Sequence, residues 1–255
     1  MVIHHKVPPA PSVPYGDHPH HVANLHLPSR EGGPWPCVVL VHGGYWRSGW
    51  DRTLMTPLGI DLAQRGFAAW NIEYRRVGQP GGGWPGMFED VSAAIDHLAD
   101  VEQVDASRVV TCGHSAGGHL ALWLAARSRL AGGVGAEPRV RPVAAVSQAG
   151  VADLERGWRE NLGDGAVEGL LGPLSEGSEL FAAASPAALA PLGVPQLLVH
   201  GTEDDVVPIS QSRGYAEREP LAELVELEGA DHFDVLELDH PGWQAVVDWL
   251  PARLG

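Results

Sequence analysis

The distribution of apolar residues constrains this chain most. Short runs rich in β-branched and aromatic residues recur at 20–27, 37–43, 67–74, 108–114, 143–150, 196–201 and 221–227. Several, such as CVVLVHG at 37–43, are continuously apolar rather than alternating, which suits strands covered on both faces of a parallel sheet. Helical spacing fills the gaps. Leu54, Leu58 and Leu62 stand four apart, Val91, Ile95 and Leu98 follow at 88–100, and 116–130 is densely apolar. An amphipathic stretch at 209–219 and Trp243, Val246 and Trp249 or Leu250 at 242–253 complete the alternation. Strand–helix alternation over this length predicts an α/β fold: a doubly wound, mostly parallel sheet flanked by helices, with right-handed crossovers.

With 255 residues the chain suits one large α/β domain, read here as 19–255 after an irregular Pro- and His-rich tail at 1–18. Residues 151–192 interrupt the alternation: they hold no good strand and mix Gly, Pro and acids with short helical fragments. In an open α/β sheet such an insertion lies over the carboxyl edge, so it reads as a small lid or cap. The Gly-rich segment at 78–86 lacks the GK[ST] ending of a phosphate loop and reads as a loop at the rim of a site.

The 32 acids against 17 bases give a formal charge of −15, which repels phosphate backbones and anionic lipid, so no nucleic-acid or membrane partner is expected. No apolar run approaches the roughly 20 residues of a membrane span, and no signal-type apolar core follows the N-terminus. A soluble, cytoplasmic protein is the expectation. Cys37 and Cys112 lie in strand-like runs and read as buried free thiols. The histidine-rich start (His4, His5, His18, His20, His21, His26) comes without HExxH or CxxC, so neither a metal nor a cofactor is expected.

The sharpest local signal is Gly113-His114-Ser115-Ala116-Gly117, which follows the apolar run RVVTC and opens a helix. That is the strand–turn–helix setting of a nucleophile elbow. The strained turn needs small residues at 113 and 117 to avoid collisions with the neighbouring strand and helix. A serine nucleophile needs a base and an orienting carboxylate, in the order Ser, Asp or Glu, His for this architecture. Downstream, QLLVHG runs into Glu203, Asp204 and Asp205, all three able to supply the acid, with Asp204 placed first by position. The next strand ends at Asp231-His232-Phe233, which puts His232 at the same sheet edge; His200, His240, His114 and His119 are less suitably placed. Oxyanion donors are expected from Ala116 N–H and from the loop His42-Gly43-Gly44-Tyr45-Trp46, through Gly44 and Tyr45.

Oxyanion loop, Ser, Asp and His each follow their own strand, and in this order they resemble the α/β-hydrolase superfamily from about residue 20 onward. His42 to Trp46, Gly113 to Leu120, Gly150 to Glu155 and Asp231 to Asp234 look like the kynurenine formamidase (arylformamidase) and esterase–lipase branch. There the resemblance implies that the first motif forms the oxyanion loop. Ser185-Pro186 through Pro195, His200-Gly201-Thr202, Asp204, Val207-Pro208 and Gln211-Ser212 resemble the catalytic domain of prolyl oligopeptidases, whose aligned acid falls on Asp204.

The expected enzyme is a serine carboxylesterase acting on small or aryl esters through an acyl-enzyme, with Ser115, Asp204 and His232 as the triad. Its partner is a small-molecule ester or amide. Trp46, Trp50, Tyr74, Trp84 and Trp158, in loops expected at the carboxyl edge, would line an aromatic substrate pocket. Aryl formamide hydrolysis is the alternative. A prolyl-oligopeptidase-like exopeptidase is disfavoured because the length leaves no room for a gating propeller, and a non-catalytic binding protein because binding alone does not call for all three triad residues.

Overall fold

The computed structural model describes residues 10–255. Eight strands form one sheet: β1 (Ser12–Pro14), β2 (Val22–His26), β3 (Trp35–Val41), β4 (Ala68–Ile72), β5 (Val104–His114), β6 (Ala144–Gln148), β7 (Gln196–Gly201) and β8 (Ala222–Leu227). Their order across the sheet is β1-β2-β4-β3-β5-β6-β7-β8. β1 and β2 run antiparallel; every pairing from β4 to β8 is parallel. This is the α/β arrangement that the apolar alternation calls for. Residues 1–9, with His4 and His5, lie outside the described residues.

Successive residues of the central strands feed opposite faces, as a period of two requires. Cys37, Val39 and Val41 of β3 pack on one face with Trp70, Phe88 and Leu120. Val38 and Leu40 pack on the other with Leu58, Leu62 and Trp243. Both faces are therefore covered, by α2 (Gly86–Asp96) and α3 (Ala116–Ala126) on the first and α1 (Thr56–Arg65) and α9 (Pro241–Trp249) on the second. Each fully buried Leu or Val contributes about 1.5–3 kcal/mol relative to exposure. α1 stops where Gly66 takes a φ of +96°, a left-handed cap open to glycine without a Cβ clash.

Residues 151–192 hold no strand but four short helices, α4 (Leu154–Arg159), α5 (Ala166–Leu171), α6 (Glu179–Ala184) and α7 (Pro186–Leu189). Leu154, Val167, Leu170 and Phe181 sink into the same core as the first sheet face. The segment is thus anchored by apolar burial. α8 (Ser210–Ala216) follows β7, and α10 (Pro251–Leu254) follows α9.

One part of the expected N-terminal tail is ordered differently. Ser12–Pro14 pairs with β2, and Tyr15 beside it is 8% exposed. Three residues ending in proline carry almost no strand pattern, and proline is tolerated there because β1 is an edge strand. Among the described residues no helix is long and apolar enough to cross a membrane. Both cysteines are buried and unpaired.

The parallel register decides where the site forms. Val41 pairs with Ile72 and Gly113, His114 with Gln148, and Gln148 with Val199. The loops after β3, β5, β7 and β8 therefore open along one edge, where ligands bind in sheets of this kind.

Candidate active site

Ser115 joins β5 to α3 at φ +56° and ψ −123°, a conformation unusual for any residue with a Cβ. The neighbouring glycines are forced. A Cβ on Gly113 would collide with the Gly117 carbonyl, and one on Gly117 with the Val41 carbonyl. The Ser115 N–H donates to Gln148 O at 2.8 Å, fixing the turn to β6. Ala116 opens the helix, so its N–H belongs to the first turn, where no intrahelical acceptor exists.

His232 follows β8 and is 3% exposed, as is Ser115. Its Nδ1 lies 2.7 Å from Asp204 Oδ2. Of the three acids after β7, Asp204 is the one the fold brings to the histidine. The backbone N–H groups of Val206 and Val207 donate to Asp204 Oδ1 at 2.9 and 2.7 Å. His200 adds a contact from Nε2 to Oδ2 at 3.2 Å, while its Nδ1 lies 2.7 Å from Ser212 Oγ. Burial alone would raise the Asp204 carboxyl, but the His200 and His232 hydrogen bonds and the Val207 N–H outweigh it and hold it well below the usual carboxylate range. An ionised Asp204 fixes the His232 ring with Nδ1–H toward the acid, leaving Nε2 for proton transfer.

No hydrogen bond closes between Ser115 and His232; both line one cavity of about 60 Å³, together with Gly44, Tyr45, His114 and Val206. Catalytic contacts of this kind commonly tighten only around substrate. His114 supports the site from beneath. Its Nε2 lies 2.9 Å from the carbonyl of His232, so that nitrogen carries the proton. Burial pushes the His114 pKa down to about 3, which keeps the ring neutral.

The loop after β3, His42 to Trp46, reaches the elbow closely: a Cβ on Gly43 would stand 2.9 Å from Ser115 Cβ. Gly44, Tyr45 and Trp46 follow with φ of +115°, +50° and +59°. Two side chains hold this left-handed run. The Tyr45 hydroxyl donates to Val206 O at 2.9 Å, and Arg47 donates to Gly163 O at 2.9 Å. Beneath it, His42 Nε2 meets the buried Glu73 at 3.0 Å, and the Tyr74 hydroxyl donates to His42 O at 2.7 Å.

The five aromatic candidates for a substrate pocket separate. Trp50 lines the cavity at Ser115 and His232 and stacks loosely on Phe233, with ring centroids 5.9 Å apart. Trp46 is fully buried and donates its indole N–H to His119 Nδ1 at 3.2 Å; burial pushes His119 down to about 4. Tyr74 is fully buried and stacked on His42 at 4.4 Å. Trp84 packs edge-on to Phe88, and Trp158 faces Phe181. None of these four lines the cavity at Ser115 and His232. Phe233, Leu54 and Val206 line it instead. Phe233 carried a signal, being an aromatic next to the candidate base; Leu54 reads only as one of a helical apolar row. Among the described residues no group of three or more His, Cys, Asp or Glu side chains is placed to hold a metal.

Residues 23–218 match the BD-FAE family. The chain belongs to that family. It is an α/β-hydrolase of the esterase–lipase type. Over 247 residues it is 28% identical to an isoprenylcysteine alpha-carbonyl methylesterase of Arabidopsis thaliana, an alignment that covers 89% of this chain and 57% of the plant protein. It is 31% identical over 110 residues to the kynurenine formamidase of Danio rerio, covering 43% of this chain and 36% of that one. This BD-FAE chain thus spans little more than half of the first relative and a smaller share of the second. Among solved structures, the butyrate-bound esterase Est2 of Thermogutta terrifontis superposes with a TM-score of 0.76 at 24% identity, over 97% of this chain and 94% of that one. That likeness supports the fold.

Proposed function

We propose that this protein hydrolyses carboxylic esters through an acyl-enzyme on Ser115. The observation that carries the reading is the 2.7 Å Asp204–His232 contact opening onto the cavity of a strained Ser115. Ser115 Oγ attacks the ester carbonyl carbon while its proton passes to His232 Nε2. Asp204 holds the imidazole and stabilises its cation. The negative oxygen receives the N–H groups of Ala116 and Gly44, with Tyr45 N–H beside them, each such donor contributing about 10²–10³ in rate. Collapse breaks the bond to the alkoxide, which leaves with the proton from His232. Water then repeats the sequence on the acyl-enzyme and frees the acid.

The similarity to a named methylesterase favours esters. An aryl formamide is the second substrate class, favoured by the similarity to a kynurenine formamidase. A fluorophosphonate probe tests the nucleophile: the wild type is expected to label and Ser115→Ala to stay unlabelled, and equal labelling of both overturns the reading. kcat/KM for a short p-nitrophenyl ester, N-formylkynurenine and an aminoacyl-prolyl amide then ranks the substrates, with the ester expected first.

A further inference from the structure

The catalytic cavity does not stand alone. Its wall residues Leu54 and Phe233 also line a second, larger hollow of about 420 Å³ that continues past Pro57 to Leu236 and Leu238. The two spaces share Leu54 and Phe233 as a common wall; Phe233 is the chain neighbour of His232, and Trp50 stacks on its ring. A hydrolytic site of this type must place the leaving-group oxygen beside the base that protonates it, so the leaving group extends to the Phe233 side. The acyl group is left with the opposite side, toward the oxyanion loop.

That opposite side is closed by Tyr45. Its hydroxyl is tied to Val206 O at 2.9 Å, on the loop that carries Asp204. Its ring rests on Gly163 so closely that a Cβ there would collide with it. The tyrosine thus spans from the oxyanion loop to the acid loop, with the 151–192 segment against its ring. The cavity it bounds, about 60 Å³, has room for about two water-sized groups.

We propose, resting on the esterase reading above, that the enzyme takes short-acyl esters of bulky apolar or aromatic alcohols, with the Tyr45 side chain setting the acyl limit and the Phe233–Leu238 hollow binding the alcohol. Glu237 and Asp239 stand at the edge of that hollow, so the alcohol it accepts carries no negative charge. Tyr45 then serves twice, by its backbone N–H toward the oxyanion and by its ring as the wall of the acyl space.

Two ester series test the division. In the first the leaving group is p-nitrophenol and the acyl chain grows from acetyl to octanoyl; kcat/KM is expected to fall at least tenfold in the wild type. Tyr45→Gly keeps the N–H and the left-handed backbone while removing the wall, and is expected to raise the octanoate-to-acetate ratio at least tenfold; Tyr45→Asn, which also tolerates positive φ, serves if the glycine variant does not fold. In the second series the acyl group is acetyl and ethyl acetate is compared with 2-phenylethyl acetate, whose alcohols are similarly acidic. The phenylethyl ester is expected to be preferred at least tenfold, and Phe233→Ala to shrink that preference. A wild type that cleaves octanoate as well as acetate, or ratios that neither substitution moves, overturns the assignment while ester hydrolysis stands. A protein that cleaves no ester and does not label with fluorophosphonate overturns the esterase reading and this assignment with it.

Discussion

Ser115 is held at φ +56° by neighbours that cannot grow a side chain. Gly117→Ala drives a methyl group into the Val41 carbonyl, which is backbone and cannot swing away. Overpacking of this kind costs about 1–3 kcal/mol, and here it also displaces Ser115, the proposed nucleophile. The variant is expected to lose at least a hundredfold in kcat and to unfold at lower urea; wild-type activity in Gly117→Ala would show that the elbow is not under this constraint. Asp204→Asn is the isosteric test of the acid. It removes the charge that holds Nδ1–H of His232, with an expected fall on the order of 10³–10⁴ in kcat, while Asp205→Asn stays within a few-fold of wild type. Equal effects at the two positions would reverse the choice between them. At this scale the sequence was most legible where a residue type is unusual in its setting, as with glycines around a serine or an acid in a turn after an apolar strand. It was least legible for aromatics. Trp46 and Trp50 stand four apart in one loop, yet one is fully buried on His119 and the other is 47% exposed at the cavity mouth; Trp46 sits at φ +59°, a backbone turn that residue spacing does not show.

Between the strands and the site stands the His42–Trp46 loop, proposed above to hold the oxyanion, and its support comes from the residue after β4. Glu73 is 2% exposed and receives His42 Nε2 at 3.0 Å and the Arg52 N–H at 3.1 Å, with Arg76 at 3.4 Å. Burial would raise its carboxyl; the His42 hydrogen bond, the charges of His42 and Arg76 and the Arg52 N–H reverse that and hold it below the ordinary range. Arg76, 5% exposed, also donates to the carbonyl of Trp50, so one carboxylate organises both ends of the loop. Glu73→Gln keeps the shape and removes the charge; kcat is expected to fall about tenfold with KM little changed. Glu73→Leu strands Arg76 as a buried unpaired charge and is expected to cost about 3–5 kcal/mol in urea unfolding. A kcat for Glu73→Gln within twofold of wild type would remove the loop-anchoring role. Element boundaries explain why this anchor was hidden. FAAWNIEY reads as one strand through 74, but the parallel pairing ends at Val41 and Ile72, and the residues that follow them, His42 and Glu73, meet side by side. β1 escaped for a related reason, since three residues ending in proline show no period. The central strands, by contrast, were plain because burial on both faces leaves them mostly apolar, with a few polar residues such as Thr111 and Ser147 among them.

For the whole molecule, two opposing effects meet as the pH falls. The net charge of −15 is self-repelling, so acidification toward the pI of about 5.2 relieves strain on the compact state. Buried histidines act the other way. Burial pushes His114 down to about 3 and His119 to about 4 and lowers His26, while the partly exposed His20 is lowered by burial and the Arg76 charge. Each then binds its proton more readily in the unfolded chain, where the ordinary value is about 6.5. A histidine lowered on folding stabilises fully above that unfolded value and loses the contribution as the pH drops toward the folded one. His114 and His119 are at most 1% exposed, so solvent screens neither, and together they amount to several kcal/mol, on the order of 1.4 per pKa unit. Surface repulsion is spread over exposed carboxylates and screened by salt, which makes it the smaller effect at ordinary ionic strength. Asp204, held low by its histidines, adds a loss only below the normal carboxylate range. The urea midpoint is therefore expected to fall steadily from pH 7 to pH 4.5, before any carboxylate of the site is protonated. His119→Gln, which can still receive the Trp46 indole N–H and donate to Ala184 O, is expected to flatten that slope while lowering the midpoint at pH 7 only modestly. A midpoint that rises on acidification would mean that charge repulsion governs this protein and that its buried histidines are hydrated more than their burial implies.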